Sequence, residues 1–133
     1  MTKTRIRTGI SVINEHNQIL LVPHYVDREI YWYLPGGKIE FLERIEDAAV
    51  REFQEETGFE VEITSEAKII EFIRQNPPWH SITFVYSGKI IGGKLQGEDS
   101  PWGVKMPVWY GKQDLSQIEI VSYLRDIVIE QID

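Results

Sequence analysis

Glu52, Glu55 and Glu56 fall within the stretch REFQEETG, Arg51 to Gly58. A helix turns about 100° per residue, so positions i, i+3 and i+4 share a face and the three carboxylates converge. Like charges at that spacing weaken a helix by roughly 0.2–0.5 kcal/mol per pair. A hard divalent cation would remove the repulsion. Mg²⁺ takes oxygen ligands, keeps several waters and is commonly shared with the phosphates of a substrate. Arg51 adjoins the cluster with a guanidinium fork suited to clamping one carboxylate. Glu43 stands about two and a half turns before Glu52, near the start of the same helical pattern. A charge run on a helix is more often a solvated acidic face, and spacing alone does not decide between the two.

The elements that must position these groups can be read from the surrounding pattern. The spacing predicts a helix from about Arg44 to Thr57, with Val50 and Phe53 on a separate apolar side and Gly58 as its stop. Upstream, Ile10 and Val12 alternate with Ser11, NEHNQ interrupts, and ILLV follows, which predicts a hairpin feeding a largely buried second strand. A loop with Pro23 and YWY leads to the glycine turn LPGG. Downstream, EVEI, KIIEFI and HSITFVY read as strands, QNPPWH as a break, GKLQGEDSPWG as a loop and VKMPVWY as a further strand. Ser116 and Glu119 have capping-box spacing, and Ile120, Val121, Leu124, Ile127 and Val128 then share one helical face. The order strands, helix, strands, helix predicts an α/β chain with a mixed β-sheet between helices.

Composition bounds the function classes. The 133 residues suit one domain, 1–133, with no internal repeat, and 42% of them are hydrophobic, enough for a real core. No apolar run approaches the roughly 18 residues of a membrane span, and the first residues lack a secretory apolar region, so a cytoplasmic setting is expected. With no cysteine, thiolate metal sites and disulfides are excluded. A net charge of −7 argues against binding a nucleic-acid polymer, whereas an intervening metal ion would still admit a polyphosphate.

The stretch GKIEFLERIEDAAVREFQEETGF, Gly37 to Phe59, resembles the Nudix box, G-x5-E-x7-R-E-U-x-E-E-x-G-U, with U a bulky apolar residue. Gly37, Glu43, Arg51, Glu52, Glu55, Glu56 and Gly58 fill every fixed position, and Phe53 and Phe59 are the U residues. With each type at about one residue in fifteen, seven chance matches have odds on the order of 10⁻⁸ per start. The resemblance is strict over this stretch and loose over the rest of the chain.

The resemblance implies a Nudix-type α/β/α sandwich and hydrolysis of a phosphoanhydride in a nucleoside diphosphate linked to another moiety, with Mg²⁺ or Mn²⁺. It implies Glu52, Glu55, Glu56 and the carbonyl of Gly36 as metal ligands, Arg51 as the residue that orients a glutamate, and Glu43 in the outer shell or near the attacking water. The general base stays open between Glu52 and a downstream acid. Gly37 is expected as a tight turn at the substrate side. For substrate contacts, His24 is a candidate for a phosphate, and Trp32 leads Tyr31, Tyr33 and Trp102 as a ring to stack on a base. His16 and His80 are expected to be structural or solvated.

The family's later loop acid has no counterpart near Val104 and Lys105, so Glu98 or Asp99 is the available substitute. Leu42 and Arg44 replace the glycine and the Ser or Thr common on either side of the box glutamate, which removes a standard helix cap. Asp47 and Glu46 can compensate through the helix dipole. Nucleoside triphosphates lead ADP-ribose, dinucleoside polyphosphates and nucleotide sugars as expected substrates. A small nucleotide is the expected partner, sheet-edge homodimers are common in the family, and a nucleotide-binding domain without catalysis is the alternative reading.

Overall fold

A computed structural model describes residues 3–132. Met1, Thr2 and Asp133, which the single-domain expectation includes, lie outside the described residues. The elements are β1 (Thr4–Ser11), β2 (Ile19–Val26), β3 (Glu29–Tyr33), α1 (Ile45–Thr57), β4 (Phe59–Ile63), β5 (Lys68–Gln75) and β6 (Pro78–Gly93). There follow β7 (Glu98–Ser100), β8 (Gly103–Lys105), β9 (Val108–Tyr110), α2 (Lys112–Leu115), a 3₁₀ turn (Ser122–Leu124) and α3 (Arg125–Gln131).

Strand β6 organises the mixed sheet. β1 runs parallel along it from Thr4 opposite His80 to Ser11 opposite Ser87, while β5 and then β4 pair antiparallel with its other edge. β2 sits between β3 and β9 in a second, antiparallel sheet. Because side chains alternate across a strand, ILLV is buried on both faces. Ile19 and Leu21 join Val85, Leu124, Ile127 and Val128 on the α3 side, and Leu20 joins Ile10, Ala49, Phe53 and Val61 on the α1 side. Helices therefore cover both faces of the sheets, as the α/β/α expectation has it.

Four local expectations are corrected. The chain does turn back between Ile13 and Ile19, but β1 then pairs with β6 and β2 with β3 and β9, so the predicted hairpin opens into two sheets. The aromatic trio is strand β3, not loop, closed onto β2 by a turn whose Asp27 and Arg28 both take positive φ. GEDSPWG is the β7–β8 hairpin. The last helix begins at Arg125, not after Ser116, which instead ends α2. The backbone of residues 119–121 has another use: Trp32 donates to Glu119 O at 2.8 Å and Val121 donates to Trp32 O at 3.0 Å. Hydrogen bonds to β3 replace those of a first helical turn, and the apolar residues stay buried regardless.

Candidate active site

Helix α1 carries the acidic cluster. Its apolar stripe, Ala48, Ala49 and Phe53, is fully buried against the core, which fixes the roll of the helix and turns the glutamates outward. Gly58 closes it in the left-handed region at φ 80°, donating to Gln54 O. At the other end Arg44 supplies no side-chain cap, and Glu46 and Asp47 occupy the first turn. The last turn holds Glu55 and Glu56 and no basic residue, so the helix dipole and mutual repulsion both act against these charges.

Arg51 is the hub. Its Nε and Nη2 donate to the two oxygens of Glu43 at 2.8 and 2.9 Å, its Nη1 to Glu52 at 3.0 Å and to Glu55 at 3.3 Å, and Nη2 also to Lys38 O at 3.2 Å. The guanidinium, with the Glu40 amide at 3.1 Å, draws the Glu43 carboxyl down from 4.5 to about 2. The same bonds, that to Glu43 foremost, raise Arg51 further above its ordinary value. Burial pushes the Glu52 carboxyl up, against Arg51, with Glu56 and Glu55 adding to the rise.

The LPGG turn lies against this helix. Pro35 O accepts from Ile10 N and Gly37 O from Thr8 N, so those peptides face β1. The Gly36 amide between them faces α1 and donates to Glu56 Oε1 at 2.7 Å. Glu56 is only 5% exposed, and its other oxygen lies 3.5 Å from His24 Nε2, whose ring meets Tyr33 edge-on at 4.5 Å. Gly37 passes so close to Glu52 that a Cβ would stand 2.5 Å from the carboxyl carbon, and a Cβ on Gly36 would enter the backbone of Thr8 and Gly9. Both glycines are places where distant segments of the chain touch.

Glu43, Arg51, Glu52, Glu55, Glu56, Gly36, Gly37 and His24 thus come together. Trp32 instead packs edge-on against Tyr110 at 4.9 Å beside the α3-side core. Its strand neighbours Tyr31 and Tyr33 line an open cleft of about 500 Å³ with Glu119, Ser122 and Arg125. Tyr33 also borders a constriction of about 10 Å³, room for one water, that reaches Gly36 and His24. Glu98 is paired with Lys105 at 3.2 Å, and Trp102 is 72% exposed at the tip of the β7–β8 hairpin, 6.5 Å from Tyr25. Thr8, whose hydroxyl donates to Gly37 O at 3.2 Å, carried no signal in the sequence, because its role comes from the partner that the fold brings to it.

The groups gathered here that could meet a cation are hard oxygens, carboxylates and backbone carbonyls, which suit Mg²⁺ or Mn²⁺ and not a soft metal. Among the described residues no three acidic or histidine side chains enclose a cation-sized space as they stand, since Arg51 holds Glu43, Glu52 and Glu55. Among the described residues no helix is long and apolar enough to cross a membrane.

Comparison with known proteins agrees with this geometry. A family model for the NUDIX domain matches residues 3–128. The chain is 34% identical over 89 residues to an ADP-ribose pyrophosphatase of Methanocaldococcus jannaschii, covering 66% of this chain and 53% of that one. It is 33% identical over 96 residues to an RNA pyrophosphohydrolase of a Wolbachia species of Brugia malayi, covering 69% of this chain and 56% of that one. The chain thus spans about half the length of these curated relatives. The crystal structure of a MutT NUDIX hydrolase from Burkholderia pseudomallei superposes with a TM-score of 0.80 at 26% identity, over 99% of this chain and 100% of that one. A cluster of glutamates organised by one arginine, seated on a glycine turn and matched over almost its whole length by one family, has a single assignment: the chain belongs to the NUDIX family.

Proposed function

We propose that this protein is a pyrophosphohydrolase that requires Mg²⁺ or Mn²⁺ and cleaves a phosphoanhydride in a nucleoside diphosphate linked to another moiety. The observation that carries the reading is the Arg51 hub, which holds Glu43, Glu52 and Glu55 together beside a Glu56 anchored to the Gly36 amide. Glu52, Glu55, Glu56 and the Gly36 carbonyl are the groups that would hold the cation. When bound, the ion neutralises phosphate oxygens and makes its water acidic enough to attack.

The chain's own residues do the positioning, which is most of what phosphoryl transfer needs. Arg51, locked by Glu43, sets the rotamers of Glu52 and Glu55. The Gly36 amide and His24 fix Glu56. Glu52, and from the β7–β8 hairpin Glu98 or Asp99, are the carboxylates available to accept the water's proton. Gly37 seats the Glu52 carboxyl, His24 borders the passage toward the cleft, and Tyr33 and Tyr31 offer rings to the nucleoside with Trp32 between them on the strand. Trp102 overhangs from the hairpin. A nucleotide partner and a cytoplasmic setting belong to the same reading.

The substrate list extends to what the relatives are described as cleaving. A panel of nucleoside triphosphates, ADP-ribose, dinucleoside polyphosphates, nucleotide sugars and a 5′-triphosphorylated RNA, assayed with Mg²⁺ for phosphate or pyrophosphate release, tests it. At least one should turn over, with loss of activity on chelation and in both Glu55→Gln and Glu56→Gln. Turnover that survives both substitutions would end the proposal.

A further inference from the structure

One face of the mixed sheet carries a row of cations that the hydrolytic site does not use. The register places Arg5 beside Ser81 and Phe72, Arg7 beside Thr83 and Ile70, and Arg74 beside Trp79. Neighbours in such rows project from the same face, so Arg5, Arg7, Arg74 and Trp79 share one surface. Among the described residues the arginines in ion pairs are Arg51 and Arg125; these three have no carboxylate partner. The Arg5 guanidinium lies 3.9 Å from the centre of the Trp79 ring, and Arg74 spends its Nε on Pro77 O at 3.0 Å. Of the acids at the border, Glu71 is engaged by His80 at 2.8 Å and Glu119 by Arg125 at 3.6 Å, while Asp27, on the far side of the cleft, has no ion pair among the described residues.

On the same face the hydroxyls of Ser81 and Thr83 are 0% and 3% exposed and have no hydrogen-bond partner among the described residues. Buried hydroxyls are normally paired, so ordered water is expected beneath the cationic row.

The surface is continuous with the active site. Tyr33 borders both the constriction at Gly36 and the 500 Å³ cleft, and Arg74 borders both that cleft and a second one of about 490 Å³ lined by Lys3, Arg5 and Trp79. Along β1, Arg7 borders the constriction at Gly36 and His24, and Arg5 stands two residues away on the same face, roughly 7 Å at strand rise. A nucleoside occupies that interval comfortably. The global charge of −7 argues against polyanions, but locally this face is cationic.

We propose that Arg5 and Arg74, with Trp79, bind a second phosphate of the substrate, carried on the side of its nucleoside remote from the anhydride. The ligand class is a nucleotide phosphorylated at its 3′ oxygen, as a free monoester or as the first phosphodiester of an oligonucleotide. Guanidinium forks match phosphate oxygens in pairs, which a lysine would not. This rests on the pyrophosphohydrolase reading for where the anhydride lies.

The test is calorimetric titration without metal, so that no turnover is involved and the loss of hydrolytic activity alone would leave it standing. Adenosine 3′,5′-bisphosphate should bind about tenfold tighter than 5′-AMP, the weight of one charge-assisted contact. The preference should vanish in Arg5→Gln with 5′-AMP affinity within twofold, and should shrink in Arg74→Gln. A 5′-phosphorylated dinucleotide distinguishes the sources: binding it as tightly assigns the site to the phosphodiester, and preference for the bisphosphate assigns it to the monoester. Equal affinity for bisphosphate and 5′-AMP in the wild type, or no binding of either, overturns the proposal. So does a preference that persists in Arg5→Gln and Arg74→Gln chains whose circular dichroism shows them folded.

Discussion

Gly37→Ala separates the position of a carboxylate from the stability of the fold. The added Cβ would lie 2.5 Å from both Cδ and Oε2 of Glu52 and 2.9 Å from Oε1. Carbon atoms in contact sit near 3.5–4.0 Å, so the carboxyl must retreat by about 1 Å. It can, because it ends a flexible side chain; the strain of an off-rotamer Glu52 is about 0.5–1.5 kcal/mol. Gly37 has no positive φ, so alanine also removes about 0.4–1 kcal/mol of unfolded-state freedom. These effects oppose each other, and urea unfolding should show a net change within about 1 kcal/mol. Activity responds differently, since a misplacement of about 1 Å in a catalytic array costs on the order of 100-fold. The expected phenotype is a folded protein with kcat/KM for its best panel substrate down about 100-fold and a weakened Mg²⁺ dependence. A Gly37→Ala enzyme within threefold of wild type would refute the seating of Glu52 on Gly37.

Three further substitutions test the local chemistry. Glu43, drawn down to about 2 by Arg51, binds fewer protons folded than unfolded, so its contribution to stability is full above pH 4.5 and is lost as pH falls through about 2; Glu52, raised by burial, has the opposite sign. In urea titrations the stability gap between wild type and Glu43→Gln should therefore close between pH 4.5 and 2, whereas Glu52→Gln should gain on the wild type as pH rises from that range; a pH-independent gap contradicts the Arg51 clamp. Leu42 sits in the left-handed region at φ 69° and is 90% exposed, so Leu42→Gly should stabilise by about 0.5–1 kcal/mol, the left-handed penalty less the entropy of glycine, read from the urea midpoint.

Much of the chemistry was legible in local spacing. The i, i+3, i+4 glutamates, the neighbouring arginine and Gly58 specify a helix, its acidic face and its end, because helix geometry is set by nearest neighbours along the chain. The apolar runs likewise gave the strands, and ILLV its double burial. The Ser116 to Glu119 pattern misled because a capping box competes with any better use of the same backbone, and the edge of β3 at Trp32 provided one. The hairpin at NEHNQ misled because a turn fixes a reversal of direction, not the partner each strand finds afterwards.

What the sequence by itself determined is the identity of the acidic helix and the kind of cation its carboxylates suit, since both follow from residue types at fixed intervals. Tertiary structure alone decided that Arg51 holds three glutamates at once, that Gly36 donates to Glu56, that Tyr33 and not Trp32 lines the cleft, and that Arg5, Arg7 and Arg74 share a face. Apart from Arg51, Glu52 and Glu55, which share α1, these contacts join residues on different strands, turns or helices, and their meeting depends on how the sheets pair and on strand register, which no local interval encodes.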